Sequence, residues 1–364
     1  MSPALEFESR ESLPRWLAYT APLITVLAAL AIASIPLLWL GVSPIVAYGE
    51  VFVAQPSSIG GIADILTTTL PLFLAGLAVY IPLKAGVWNI GAEGQLFVGA
   101  VVGSYIGLNI ELSTLLLLPL MLLAAGVTAA LYGAIPGYLR AEHNVNEIIS
   151  SLMLTFAATT FTGYLLRGPM QGGGGQTATD RLPDAAQFPT VLHPRLHVGV
   201  AALVIVAVLA ALFLNRTRLG YEITFVGSNP AAAAQAGIST YKTYVFVFVI
   251  GGCLAGLAGI IEVAGVHGRL FEGFSPEYGF TAIAVALLGR NGVSRVFLAA
   301  AFFGVLTAGG TTLSITQNVP TALVDVIVAL TILCLLTAEF VKEYRINIDL
   351  RGGSGSDPDP GRSA

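Results

Sequence analysis

Four stretches of the chain bring polar or ionisable side chains close enough together to do chemistry. The first is KAGVWNIGAEGQ, Lys84–Gln95, in which Asn89, Glu93 and Gln95 stand among three glycines between two apolar runs. Polar groups and irregular backbone are tolerated at membrane depth only when buried in protein or facing a water-filled cavity, so this stretch suits a pathway or a gate. The same residues also fit a cytoplasmic turn whose following helix opens at Glu93, a carboxylate complementing the helix dipole. The second stretch is NVNEIISS, Asn144–Ser151. Asn146 there suits a helix cap with Glu147 in the first turn, and both residues are also candidates to line a path. The third is a pair of single acids, Glu262 and Asp325, inside apolar runs. Each fits a functional site or a hydrogen bond to a neighbouring helix.

The fourth stretch, residues 215–242, reads NRTRLGYEITFVGSNPAAAAQAGISTYK. Asn229 and Pro230 have the types of an N-cap and first helical position, AAAAQA makes a short helix, and Gly237 stops it. A discrete helix of about two turns between apolar segments suits docking on a partner protein, with a resting place on the membrane surface as the alternative.

Other chemistry is missing. The glycines at 172–175 have no Gly-Lys-Ser/Thr after them, and no strand precedes Gly252, Gly256 and Gly259, which suit close helix packing. His193 and His197 are four apart, but Pro194 breaks the helix that would align them as metal ligands. No paired carboxylates or nucleophile–base pair is visible, so neither an enzyme nor a metal or cofactor is expected. Without an ATP-binding pattern, any active transport draws its energy from another subunit or an ion gradient.

The elements that position these residues follow from composition. Of 364 residues, 55% are hydrophobic and 10% charged, with a mean hydropathy of +0.81. Soluble domains carry about 25% charged residues. The outside must therefore be nearly as apolar as the inside, and the surrounding solvent is a lipid bilayer. A net charge of −4 argues against a nucleic-acid partner. Cys253 and Cys334 lie in apolar runs and suit small buried hydrophobes.

Ten apolar segments can be traced: 17–41, 62–83, 93–110, 114–138, 147–166, 196–214, 243–266, 276–289, 296–313 and 320–340. The eighth is short for a span and is expected to be tilted, broken or partly inserted. With a cytoplasmic N-terminus and strict alternation, 13 Lys and Arg fall inside and four outside: Arg167, Arg181, Arg195 and Arg269. That asymmetry predicts an all-α polytopic protein of about ten transmembrane helices with both termini cytoplasmic. It divides the chain into a cytoplasmic segment at 1–16, a membrane domain at 17–341 and a disordered cytoplasmic tail at 342–364. Within the membrane domain, 167–195 is expected to be a flexible external loop. The string LAGLA recurs at Leu74–Ala78 and Leu254–Ala258, and AGV recurs 179 residues on, so the second span maps onto an oppositely directed seventh, as in an inverted repeat.

Four strings carry a family resemblance: GVWNIGAEGQLFVGA, NVNEIISSLML, GYEITFVGSNPAAAAQAGI and GFTAIAVALLGR. They resemble the permeases of nucleoside-type ABC importers, in the branched-chain amino acid and simple-sugar permease superfamily, and in particular the larger of two permease subunits. The resemblance implies a type II ABC importer permease fold of ten spans in the cell membrane. It implies an ABC ATPase subunit, a second smaller permease in a heterodimer, and a substrate-binding lipoprotein. Gly220, Tyr221, Glu222, Gly227, Asn229, Pro230 and Gly237 would form the ATPase coupling element. Asn89, Glu93 and Gln95 would lie near the translocation path, with Asn146, Glu147 and Glu262 as further candidates. The solute would be a nucleoside, with a simple sugar as the alternative. A separate reading, an ion-coupled secondary transporter, would use Glu93, Glu262 and Asp325 as ion sites.

Overall fold

The computed structural model describes residues 4–9 and 15–349, with side chains over 26–334 and at Thr337. In chain order the helices are α1 (Arg15–Trp39), α2 (Pro44–Gly49), a π turn over Glu50–Ala54, α3 (Gln55–Ser57), α4 (Ile59–Lys84), α5 (Ala92–Asn109), α6 (Thr114–His143) and α7 (Glu147–Arg167). Then come α8 (Ala201–Arg216), α9 (Arg218–Ser228), α10 (Pro230–Gln235), α11 (Thr240–Glu262) continued by a π turn over Val263–His267, α12 (Tyr278–Leu288), α13 (Val293–Thr316) and α14 (Thr321–Glu343). A helix occurs at each of the ten apolar segments. Among the described residues, six are long and apolar enough to cross a membrane: Ile59–Lys84, Thr114–His143, Glu147–Arg167, Val198–Arg216, Thr240–His267 and Val293–Thr316. The chain is therefore an all-helical, multi-pass membrane protein in its main body.

Packing divides the chain into two units, residues 1–35 with 329–364, and residues 36–328. In the first, Ala4–Ser9 pairs antiparallel with Tyr344–Asp349. The tail expected to be disordered from residue 342 is thus helical to Glu343 and then extended to Asp349, and residues 350–364 lie outside the described residues. A six-residue strand needs its partner to form, and that partner stands at the other end of the sequence.

The second unit is built around α4. Its most apolar stretch is 72% buried, against 22% for Val198–Arg216, so α4 lies at the centre and Val198–Arg216 at the lipid-facing edge. Ser58 caps α4, its Oγ accepting from the Gly61 N–H at 2.9 Å, and Gly86, at φ +79°, turns the chain out of the helix. α12 has only 11 residues, about 16 Å and roughly half a hydrocarbon core. Its shortness matches the shortness of the eighth segment.

Two sets of helices pack alike. α4 lies against α12 and α13, and α11 lies against α5 and α6. Gly76, at the centre of the first LAGLA, faces Val285 of α12 and Val296 of α13 without room for a Cβ. Gly256, at the centre of the second, faces Gly99 of α5 and Ala125 and Ala129 of α6. The repeated string thus marks the same kind of crossing twice. Without a hydrophobic drive between helices in lipid, such close approach of small residues supplies the packing.

Candidate functional site

The chain between α4 and α5 breaks at 85–91 and is held by an amide pair. Asn89 Nδ2 donates to Gln95 Oε1 at 2.9 Å, and Gln95 Nε2 donates back to Asn89 Oδ1 at 3.0 Å. Asn89 Nδ2 also donates to the Ala78 carbonyl at 3.1 Å, tying the break to the first LAGLA of α4. Gly251 of α11 closes over this pair, with space for no side chain between Ala78 and Asn89. Asn89 and Gln95 are fully buried, so their mutual bonds replace those that water would have made.

Glu93 opens α5, yet its carboxylate serves another helix. Oε2 accepts from the Gly279 N–H at 2.5 Å, satisfying a free donor in the first turn of α12. The Ser275 side chain also bonds this carboxylate. One residue away, Tyr278 Oη lies 3.4 Å from Glu262 Oε1, and His267 Nε2 lies 3.2 Å from the same oxygen. The π turn makes that last contact, because its wider winding brings residues five apart onto one face. Glu262 Oε2 has no protein partner although the residue is 3% exposed. The structure therefore gathers Asn89, Glu93, Gln95 and Glu262 into the crossing of α4, α5, α11 and α12, and adds Tyr278, Gly279, Ser275 and His267. Sequence reasoning did not join these four to the site: Ser275, Tyr278 and His267 each stand next to Gly or Pro at the edge of an apolar segment, and Gly279 entered only as the start of a family string.

Asn146 and Glu147 lie elsewhere. Asn146 is an exposed cap, its Oδ1 accepting from the Ile148 N–H at 2.9 Å. Glu147 is buried, pairs with Arg140 at 3.3 Å, and accepts from the Trp88 N–H at 3.4 Å, linking the α6–α7 turn to the broken segment. Asp325 is exposed and does not join Glu93 and Glu262.

Residues 217–239 form two helices, not one. Thr217 Oγ1 accepts from the Gly220 N–H at 3.1 Å to cap α9, and Asn229 Oδ1 accepts from the Ala232 N–H at 3.0 Å to cap α10. Pro230 is the first residue of α10, and Gly237, at φ +78°, ends the turn after it. Gly220, Ile223 and Val226 bury one face of α9, a helical spacing present in the sequence but masked by β-branched residues. Gly227 lies against the Lys84 carbonyl, so α9 meets the end of α4 just before the break. Tyr221 is exposed and stacks on Phe225, and Glu222 pairs with Arg218 at 2.7 Å. α10 packs within the protein: Ala233 is fully enclosed, and the helix contacts α9 and α11.

The loop at 167–195 is tied down along much of its length. Thr179 N–H donates to the Leu270 carbonyl, Leu182 N–H to Gly268 and Glu272 N–H to Thr177, at 2.8, 2.8 and 3.1 Å. Arg167 Nη2 donates to both Glu272 oxygens, and Arg195 Nη1 reaches Asp64 at 2.7 Å. These partners lie about 90 residues away or more, which is why the glycines alone suggested flexibility. Beneath the loop, His197 is enclosed with neither ring nitrogen bonded, and burial pushes its imidazole down to about 4.

Residues 61–336 match the family described as branched-chain amino acid transport system / permease component. This chain belongs to that family. The permease is 49% identical over 366 residues to the glucose ABC transporter permease protein TsgB13 of Haloferax volcanii, covering 97% of this chain and 96% of that one. It is 31% identical to the guanosine ABC transporter permease protein NupP of Bacillus subtilis, over 88% and 94% of the two chains. A second Haloferax volcanii protein, the putative glucose ABC transporter permease protein TsgC13, is 30% identical over 65% of the permease and 72% of its own length. The superfamily expected from the four strings is thus the right one. The relatives span both solutes, and the sugar permease shares more of the sequence than the nucleoside permease does.

Proposed function

We propose that the permease is the membrane subunit of an ATP-driven importer and carries a small polyhydroxylated solute, a hexose as the first reading. The observation behind this reading is 49% identity to a glucose ABC transporter permease over nearly the whole of both chains. Nucleoside import is the second reading, supported by the guanosine permease at 31% and by the Lys84–Gln95 string. Uptake of labelled glucose and guanosine in cells with and without the permease tests both, and uptake of neither would overturn them. An ion-coupled mechanism fits less well, since Asp325 is exposed and the Glu93 carboxylate is taken up by the α12 terminus. Collapse of ion gradients is expected to leave uptake intact, whereas inactivating the ATPase stops it.

In this reading the permease has the type II importer fold, with ten spans and both termini in the cytoplasm. Ten helices at the ten apolar segments and the bias of Lys and Arg support it. The exchange of α4, α5 and α6 for α11, α12 and α13 supports an inverted repeat with broken helices meeting at its centre. Asn89, Glu93, Gln95 and Glu262 would lie beside the path. α9 and α10, with Gly220, Tyr221, Glu222, Gly227, Asn229, Pro230 and Gly237, would carry the motion of an ABC ATPase to α4 through Gly227 and Lys84. A second permease is in keeping with the two glucose permeases of Haloferax volcanii, and a substrate-binding lipoprotein would deliver the solute. Replacing Asn229–Pro230 is expected to abolish uptake while insertion stays normal. Normal uptake in that variant would remove α10 from the coupling route.

A further inference from the structure

The segment from Gly268 to Glu277 joins the outer end of α11 to the N-terminus of α12, and its two halves are held differently. Residues 268–272 are bonded backbone to backbone to the external loop. Residues 273–277 have no such ladder. Their backbone bonds are local only, the Phe274 N–H donating to the Phe271 carbonyl and the Glu277 carbonyl accepting from the Phe280 and Thr281 N–H groups. Side chains do the rest: Phe274 packs edge-on against Phe97 at 4.9 Å, and Ser275 Oγ accepts from the Tyr278 N–H at 3.2 Å. The second half is bounded by Gly273 at φ +79° and Glu277 at φ +58°, and the left-handed conformation disfavours a non-glycine residue such as Glu277. Two turning points thus flank a five-residue stretch at the place where α5 and α12 meet.

Glu262 stands opposite this stretch and is only half satisfied. Its Oε1 accepts from the Tyr278 hydroxyl at 3.4 Å and lies 3.2 Å from His267 Nε2, which itself makes no hydrogen bond, while Oε2 is buried and bare. A buried carboxylate oxygen without a donor is costly, and the cost disappears when water or a solute hydroxyl reaches it. The neighbouring Glu93–Gly279 bond is short and Asn89–Gln95 is closed on itself, whereas Glu262–Tyr278 is the longest of these contacts, with the Tyr278 hydroxyl also bonded to the Thr68 side chain.

We propose that residues 273–277 form a gate on the solute path, hinged at Gly273 and Glu277 and latched by the Glu262–Tyr278 contact, with His267 as a positioning residue for Glu262. The π turn at Val263–His267 is what gives the latch its fixed side, because it returns His267 to Glu262. Tyr278, at the head of α12, is the moving side. A solute hydroxyl that bonds the bare Oε2 would draw the carboxylate away from the Tyr278 hydroxyl on Oε1, so entry of solute and release of the latch are one event. This proposal rests on the reading of the chain as an alternating-access permease.

The test uses the full-length chain in sealed membrane vesicles, with Cys253 and Cys334 replaced by Ala and Ser275→Cys as reporter. A membrane-impermeant maleimide is applied to one face at a time. Ser275 is buried, so slow labelling is expected in the parent, and labelling about tenfold faster from the external face is expected with Glu262→Gln or Tyr278→Phe. Glu262→Asp should restore slow labelling in part, which a merely structural defect would not. In uptake assays on the otherwise native chain, Tyr278→Phe should alter KM and maximal rate by different factors. Unchanged labelling in Tyr278→Phe, a variant that removes one oxygen atom, overturns the latch even if Glu262→Gln fails to reach the membrane. Labelling needs no transport, so its outcome is separable from that of the uptake experiment on which the permease reading depends.

Discussion

The two breaks in the bundle, between α4 and α5 and between α11 and α12, solve one problem in opposite ways. Both interrupt a helix beside an LAGLA string and start a new one inside the protein. At the first, seven residues suffice, and Asn89 and Gln95 satisfy each other and the Ala78 carbonyl. At the second, a π turn and ten further residues intervene, three of them at positive φ, and a buried carboxylate oxygen goes without a donor. A closed polar network rigidifies its surroundings, while a partly satisfied one stores a cost that movement relieves. The first break therefore acts as the fixed half of the crossing and the second as the movable half.

The comparison is broken most decisively at the glycines. A Cβ at Gly256 would meet the Ala129 side chain and the Ala125 carbonyl, and one at Gly99 would meet Gly256 backbone. Gly256→Val is expected to prevent recovery of folded protein, read by size-exclusion chromatography in detergent. At Gly76 the nearest atoms to a Cβ are valine side chains rather than backbone, so Gly76→Val should give folded but less stable protein. Equal behaviour of the two would mean that the two crossings are equally tight.

Gln95→Leu comes next. It strands the Asn89 amide in a dry site and is expected to cost roughly 1–3 kcal/mol, visible as a lower melting temperature. Asn89→Ala and Gln95→Ala combined should cost clearly less than the sum of the single changes. Glu262→Gln, by contrast, should change stability by under about 1 kcal/mol, because it removes no closed pair. A larger loss there than in Gln95→Leu would reverse the assignment of fixed and movable halves.

The region of residues 167–197 offers two smaller effects. His197 takes up a proton less readily when folded than the ordinary value of 6.5, so the unfolded chain protonates first as pH falls. Its contribution is complete above about pH 6.5 and is lost between there and pH 4, on the order of 2–3 kcal/mol for the burial seen. Melting temperature measured between pH 7 and 4.5 should fall less in His197→Leu than in the parent. Arg167→Ala opens an exposed pair with Glu272 and should cost at most about 1 kcal/mol, a cost that shrinks further in high salt.

Much of the fold was legible in the sequence because lipid imposes a length on apolar segments. All ten were found as helices, and Asn229–Pro230 and Gly237 marked α10 through local capping rules. α9 was not found, since Ile223, Thr224 and Val226 lower helix propensity while the buried face at 220, 223 and 226 compensates only in the folded state. Glu93 was visible as a first-turn acid, but the helix it caps begins 185 residues later, at Tyr278. Glu262 stood out as an acid in an apolar run, whereas His267 did not, because α-helical spacing gives no reason to connect residues five apart. Asn146 illustrates the reverse case, a polar residue near the start of a span whose bonds are entirely local.

By itself, then, the sequence determined the solvent, the helices and the kinship, because hydropathy, capping and motif strings are local properties of the chain. Tertiary structure alone decided which polar groups share a site. Glu93 meets Gly279, Asn89 meets Gly251 and Glu262 meets Tyr278 only because small residues let four broken or crossing helices approach to backbone contact. That approach depends on distances between segments that no local pattern encodes.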